Sequence, residues 1–384
     1  MVLRTRAGLV LAKVEATQGV AEVLNPDTDA IEAESANIEF DVNVVQTKGM
    51  TGTLDNATPI IGGQKAKMTI EVFLRGSGTP GTPPEVGPLL RACRRREVIS
   101  TGTVPSGGAE ACGAGGSTTT AELGASANAI AQSYRGMPLQ LTTGQTLSTH
   151  IADYTANKIA TLTDTAGGTI DADTNWQIPA HVRYLPTSTN TESISIAFYQ
   201  DGLLWRLQGC VGTYTMEWTA GGAIRARFTF EGQHAGQPTD TPVPAATFPD
   251  TRPAIWRAGS FTIDAEQAAP TRLSMDAGNT VHTPSDPNKP DGYGLPLITE
   301  CDATGSVDPQ ATLLADRNTY AKFRNQQPHI VHAAAGTAAG NRVAVTVPTA
   351  VSTGFGYGDA SGLITENITF DCSGADAGDV LAFS

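Results

Sequence analysis

Ala66-Lys67-Met68-Thr69-Ile70-Glu71-Val72-Phe73-Leu74 alternates apolar with polar side chains at a period of two, with Met68, Ile70 and Val72 on one side. That period is the mark of a half-buried β-strand, one face on a core and the other toward polar surroundings. Upstream, residues 31–45 alternate in the same way: Ile38, Phe40, Val42 and Val44 are interleaved with Asn37, Glu39, Asp41 and Asn43. A long Gly/Thr/Pro loop, residues 46–64, joins the two runs. Downstream, residues 85–96 place Val86, Leu89, Leu90 and Cys93 on one helical face and Arg91, Arg94 and Arg95 elsewhere. Arginines near a helix C-terminus complement its dipole, and they read as a solvated or intersubunit ion-pairing face rather than a nucleic-acid patch. Residues 193–208 and 214–230 form a hairpin pattern. Ile194, Ile196 and Phe198 alternate, Gly209-Cys210-Val211-Gly212 turns, Tyr214, Met216 and Trp218 alternate back, and Gly221-Gly222 marks a bulge or bend.

The second half repeats this order. Residues 259–265 and 271–276 are the strand pair, 279–294 the loop, 297–306 the next strand, 313–325 the helix, and 342–348 with 362–372 the closing strands. The expected fold is therefore mainly β: two tandem β-sandwich or half-barrel units, each with a flanking short helix. Residues 1–29 are expected as an N-terminal arm, 30–245 as unit 1 and 246–384 as unit 2, joined through the Pro-rich stretch 237–249. A β-unit made twice presents equivalent edges twice, which suits closed rings. Residues 101–192 have no counterpart in the second half and read as an insertion. It opens with a Gly/Ser/Thr-rich connector, 105–120, and continues as a small β-module over about 134–184, expected on the outer surface.

Composition agrees with a β-rich assembly protein. The 384 residues include 41 Gly and 23 Pro, and only 16% are charged, which is low for a freely soluble monomer. The net charge of −13 argues against non-specific duplex affinity, which rests on Lys and Arg neutralising phosphates. Five scattered cysteines (Cys93, Cys112, Cys210, Cys301, Cys372) form no CxxC pair and read as reduced core thiols of a protein made in a cytoplasm. The apolar run 8–12 is too short for a signal segment, and no run reaches the length of a membrane span.

No constellation for chemistry stands out, so neither a cofactor nor an enzyme activity is expected. His329 and His332 lack a third ligand at usable spacing, and Asp171-Ala172-Asp173 lacks the remaining oxygen ligands of a Ca²⁺ loop. Gly354, Gly356 and Gly358 precede a strand rather than a helix, so they read as a flexible hairpin tip and not a phosphate loop. Gly358-Asp359-Ala360-Ser361-Gly362 has no His and Asp partners and reads as a turn.

Several stretches together resemble the tail tube (major tail) proteins of long-tailed, non-contractile bacteriophages. These are Leu11-Ala12-Lys13-Val14-Glu15-Ala16-Thr17-Gln18-Gly19-Val20 followed by Asn25-Pro26-Asp27, then Lys67 to Gly76 with Val86-Gly87-Pro88-Leu89-Leu90-Arg91-Ala92-Cys93. Leu204 to Gly212 fits the family's late hairpin, and Leu273 to Val281 with Gly292 to Glu300 look like counterparts in the second unit. Tyr134 to Gly144 with Ile151-Ala152-Asp153-Tyr154 resembles a small β-module of several phage tail proteins. The order of these motifs carries the likeness. It implies a structural virion protein, made in the host cytoplasm, whose strands join those of neighbouring copies into a barrel around a channel for the genome. Its implied partners are itself, the tape measure protein, the tail terminator and distal tail proteins, with double-stranded DNA passing without specific binding and no membrane. Family rings carry six fold-units, so a chain with two units implies a homotrimer ring, with a hexamer as the alternative. Glu39, Asp41, Glu71, Glu217 and Glu366 are the expected lumen-facing acids. Met50, Thr51, Leu54 and Asn56 in one loop, with Asn279, His282, Asn288 and Tyr293 in the other, are the expected ring-stacking residues. A surface adhesin or decoration protein is a rival reading that predicts no tubes, and a tail-associated hydrolase would need an acid/base constellation.

Overall fold

A computed structural model describes residues 3–384 apart from 5, 48, 51, 53–57, 190 and 375–377. The chain is mainly β, with two six-residue helices, α1 (Gly87–Ala92) and α2 (Thr319–Arg324). Its organising element is an antiparallel sheet of eight strands. The first half of the chain supplies β1 (Ala33–Val45), β2 (Ile60–Phe73), β3 (Leu203–Thr219) and β4 (Arg225–His234). The second half supplies β5 (Pro270–Asp276), β6 (Thr304–Pro309), β7 (Val343–Ala360) and β8 (Leu363–Cys372). In space they run β1-β2-β4-β3-β5-β6-β8-β7. One row of opposed residues crosses all eight: Ser35, Glu71, Arg227, Thr215, Asp276, Thr304, Asp371 and Val351.

The period-two pattern decides which face packs. Ile70, Phe228, Tyr214, Met216, Trp218, Leu273, Met275 and Phe370 all point to one side and are buried in a core that both halves share. At about 25 cal/mol per Å², burying each large side chain stabilises the fold by roughly 1.5–3 kcal/mol. A second layer covers this core. It is built from Gly8–Val14, Ile194–Gln200, Arg95–Ser100, His181–Pro186, Ser260–Ile263, His329–Ala335 and Val380–Phe383. The 17-residue β3 and the 18-residue β7 serve both layers. Each pairs with second-layer strands over its first half, meets a register shift (Gln208/Val211 and Ser352/Gly354), and enters the eight-stranded sheet with its second half. The bend in β3 falls at Gly209, whose φ of 63° is left-handed. Buried Glu15 fixes it: one carboxylate oxygen accepts from Gly209 N (2.7 Å) and Ser195 Oγ (2.8 Å), the other from Ser193 Oγ (2.6 Å) and Gly19 N (2.8 Å).

Five expectations are corrected. Residues 209–212, expected as a hairpin turn, lie inside β3, and the chain turns instead at Asp201-Gly202 and at Ala220-Gly221. Residues 8–14 are a core strand, not part of an arm, because Leu9, Val10, Leu11 and Ala12 are all buried. The insertion folds earlier than expected: a six-stranded sheet begins at Glu110–Ala111 and ends at Asn175–Gln177, with its own core around Trp176, Tyr154, Leu139 and Ile170. Residues 181–184 belong instead to the second layer of the main body. The helix expected at 313–325 is confined to Thr319–Arg324, capped by the Asn318 side chain on Ala321 N at 2.9 Å. Gly354, Gly356 and Gly358 lie within β7, and the hairpin tip is Ser361-Gly362.

The insertion docks on the second layer. Thr262 Oγ1 donates to Thr163 O (2.6 Å), Thr165 Oγ1 donates to Ala265 O (2.8 Å), and the His150 ring packs tilted against His332 at 4.7 Å between ring centroids. Burial pushes His332 from an ordinary 6.5 down to about 3, and His181, in the second-layer strand that follows the insertion, down to about 4. Both stay neutral when folded, whereas the unfolded chain protonates them near 6.5, so their contribution is whole above that pH and is lost as pH falls. At pH 5 the loss is about 2 kcal/mol for each histidine. The urea midpoint, followed by tryptophan fluorescence, is therefore expected to fall between pH 7.5 and 5, and to fall less in His332→Gln. Equal midpoints at the two pH values would refute the assignment.

Candidate functional site

The side of the eight-stranded sheet away from the core is a continuous polar face. Because side chains alternate, Thr69, Thr213, Thr215, Thr219, Thr229, Ser274, Ser306 and Thr369 all fall on it, among charged residues. Four of the expected acids stand there. Glu39 accepts from Asn37 Nδ2 at 3.2 Å; Asp41 lies 3.8 Å from Lys65 Nζ. Glu71 lies 3.5 Å from Arg227 Nε and accepts from Ser35 Oγ at 3.0 Å; Glu217 meets Arg272 Nη2 at 2.5 Å. Exposed pairs of this kind are worth about 0–1 kcal/mol and chiefly set the pattern of charge. Among the described residues no salt bridge reaches Glu39, Asp276, Asp308 or Asp371, so the face keeps an acidic excess. Glu366 is the exception. It points into the packed side, 2% exposed, where it meets Arg317 Nη2 at 3.2 Å and Thr319 Oγ1 at 2.9 Å. Its neighbours Ile368 and Phe370 share that parity, which excludes Glu366 from the polar face.

The two long loops leave the same end of the sheet, since they join β1 to β2 and β5 to β6. Met50 is fully exposed; Thr51, Leu54 and Asn56 lie outside the described residues. The second loop is folded back on the first half of the chain as a small hairpin, Asn279–His282 with Leu297–Cys301. Asn279, expected at a stacking surface, is buried: its Nδ2 donates to Cys93 O (3.0 Å) and Gly212 O (3.1 Å). Tyr293 is half-buried beneath Lys65 Nζ, 5.3 Å from its ring centroid, and its carbonyl accepts from Gln233 Nε2 at 2.9 Å. His282 and Asn288 remain exposed. The loop therefore braces β2 and β4 within the chain, helped by Gln64 N donating to Asp291 O at 3.0 Å.

The sheet ends in two edges, the outer edges of β1 and of the second half of β7. Among the described residues neither has a partner strand there. Both edges carry apolar ends. The β1–β2 hairpin runs ten residues beyond the shared row, from Ser35 to Val45, and exposes Val44, Val45, Ile60 and Ile61. The β7–β8 hairpin runs nine residues the opposite way, from Val351 to Ala360, and exposes Tyr357, Leu363 and Ile364. Sequence reading missed these ends. Their signal is doubled apolar residues, Val44-Val45, Ile60-Ile61 and Leu363-Ile364, where alternation would demand a polar one.

Among the described residues no group of three or more His, Cys, Asp or Glu could hold a metal ion, and His329 and His332, three apart on one strand, face opposite sides. No helix of the described residues is long and apolar enough to cross a membrane.

Long unpaired edges with apolar ends expose a chain to edge-to-edge association unless that association is its use. A family model described as phage tail tube protein matches residues 5–372, nearly the whole chain. No curated protein matches it. The chain belongs to the phage tail tube protein family and is a structural component of a bacteriophage tail.

Proposed function

We propose that the chain polymerises as stacked threefold rings into the tail tube of a long-tailed, non-contractile phage, with the polar face of the eight-stranded sheet lining the channel. One observation carries this reading. Unit 1 and unit 2 already pair edge to edge, β3 on β5, leaving one free edge on each side. Head-to-tail repetition of such a piece either closes into a ring or runs on as a filament. Three copies supply six units and a barrel of twenty-four strands in which no edge stays exposed.

The acid-rich, threonine-rich face suits the passage of DNA, because like charge against phosphate discourages sticking. Glu39, Asp41, Glu71 and Glu217 are the channel acids in this reading. The connections from β1 to β2 and from β5 to β6 leave the end facing the next ring, with Met50, His282 and Asn288 available to touch it. The insertion, docked on the second layer, sits outside. Tape measure, terminator and distal tail proteins are the remaining partners, and the virion tail is the destination after synthesis in the host cytoplasm.

Cryo-electron microscopy of the purified, concentrated protein tests the reading. Tubes with three chains per ring and the Glu71–Arg227 face toward the lumen are expected. Six chains per ring would sink the trimer, and a basic wall would sink the assignment of the face.

A further inference from the structure

We infer that the free edge of β7 pairs with the free edge of β1 in a second copy in one defined register, Gly356 opposite Glu39. This rests on the ring reading above, and the junction inside the chain supplies its template.

The two units can be superposed strand by strand from their pairings alone. Phe228-Thr229-Phe230-Glu231 in β4 corresponds to Ile368-Thr369-Phe370-Asp371 in β8. Following the ladder from Thr229 leads to Thr213 on β3, and from Thr369 to Gly354 on β7. The same walk equates Thr215 with Gly356, Met216 with Tyr357 and Glu217 with Gly358. Going the other way, Thr69 corresponds to Ser306 and Asn37 to Ser274, so Ile38 answers to Met275 and Glu39 to Asp276. Inside the chain Thr215 opposes Asp276, Met216 opposes Met275 and Glu217 opposes Ser274. Carried to the open edges, this becomes Gly356 against Glu39, Tyr357 against Ile38 and Gly358 against Asn37. The parity is right at each position. Glu39 and Asn37 stay on the polar face, while Tyr357 and Ile38 go to the packed side.

Four further observations fit. Tyr357 is 62% exposed, whereas its counterpart Met216 is fully buried, so the open edge lacks the cover that the inner junction has. Ile364, 63% exposed, answers to Ile224, which is fully buried. Beside β1 runs an open groove of about 420 Å³ lined in part by Val10, Ile31, Ala36, Phe198 and Phe248, where an apolar tip of the next copy would lie. Finally, β7 has no side chains on its polar face at Gly354, Gly356 and Gly358. A Cβ at Gly354 would meet Thr369 Oγ1 at 2.4 Å, but one at Gly356 meets nothing within 4 Å. The seam between copies is thus bare where the seam inside the chain carries Thr215 and the Glu217–Arg272 pair.

The open space at Gly356 makes the register testable by disulfide trapping on the channel side. Glu39→Cys/Gly356→Cys, Asn37→Cys/Gly356→Cys and Asp41→Cys/Gly356→Cys are oxidised as assembled tubes and resolved without reductant, beside the unmodified chain and each single variant. The first pair is expected to give covalent species of up to three chains about tenfold faster than the other two, since opposed strand residues fall within disulfide reach and a two-residue shift does not. Faster trapping by either shifted pair overturns the register while leaving the ring intact. Tubes that trap with none of the three overturn edge pairing but not tube formation. Failure of the unmodified chain to form tubes removes both. Ile364→Asp, at an exposed position, is expected to leave the monomer's circular dichroism unchanged and abolish trapping; trapping at the unmodified rate would overturn docking of that tip in the groove.

Discussion

Asp379→Ala is expected to cost about 3–5 kcal/mol, because it leaves a buried guanidinium without its counter-charge. Arg95 starts the second-layer strand Arg95–Ser100 in the first half of the chain; Asp379 precedes Val380–Phe383 at the end of the second half. Their side chains are 4% and 2% exposed. Arg95 Nη2 meets Asp379 Oδ1 at 2.5 Å, Nη1 donates to Asp379 O at 2.6 Å, and the guanidinium lies over the Tyr214 ring at 5.3 Å. Tyr214 in turn points its hydroxyl at Asp379 Oδ2, 3.4 Å away. The pair thus ties the two halves of the chain to β3 at the centre of the shared core. Urea unfolding of Asp379→Ala should show a large drop in midpoint. Arg95→Met/Asp379→Leu should recover much of it, since removing both charges also removes their desolvation cost. A single mutant as stable as the parent would mean the pair is not a tie between the two halves of the chain.

The half-buried strands were legible because their period is explicit. Lys67, Thr69 and Glu71 against Met68, Ile70 and Val72 leave one orientation, and four of five acids read from that parity reach the polar face. Strands buried on both faces carry no alternation. Residues 8–14 therefore look like part of an arm in the sequence although Leu9 to Ala12 are core. Glu366 failed for a related reason: it stands within Thr365-Glu366-Asn367, three polar residues in a row that hide the parity, and its partner Arg317 is 49 residues away. The roles of Asn279 and Glu15 depend on carbonyls and amides brought in from distant strands, which no local spacing encodes. Gly/Ser/Thr composition hid the start of the inserted sheet, where burial of Cys112 and Ala121 decides the fold.

The insertion's true limits change what its removal should do. Its two ends meet at one antiparallel bridge, where Val104 N donates to Ile178 O at 2.9 Å and Ile178 N returns to Val104 O at 2.7 Å. Excising residues 105–177 and closing with a short glycine link therefore removes a sheet with its own core and asks little of the main body. The product is expected to fold and to retain tube formation, losing the docking contacts at Thr262, Ala265 and His332 and the bonds to Ser133 O and Arg135 O from Arg183, whose guanidinium then turns to water. An excision of residues 116–186 cuts much deeper. It deletes His181–Pro186, a strand paired on both sides, and with it fully buried Val182 and Tyr184. Losing a paired strand and two core side chains exceeds the roughly 5–15 kcal/mol that holds a domain together. Soluble yield, far-ultraviolet circular dichroism and negative-stain images of the two deletions should separate cleanly, with tubes from the shorter and no folded protein from the longer. Tubes from the longer deletion would show that the strand His181–Pro186 is dispensable. Loss of assembly in a well-folded shorter one would place the insertion in the contacts that build the tube.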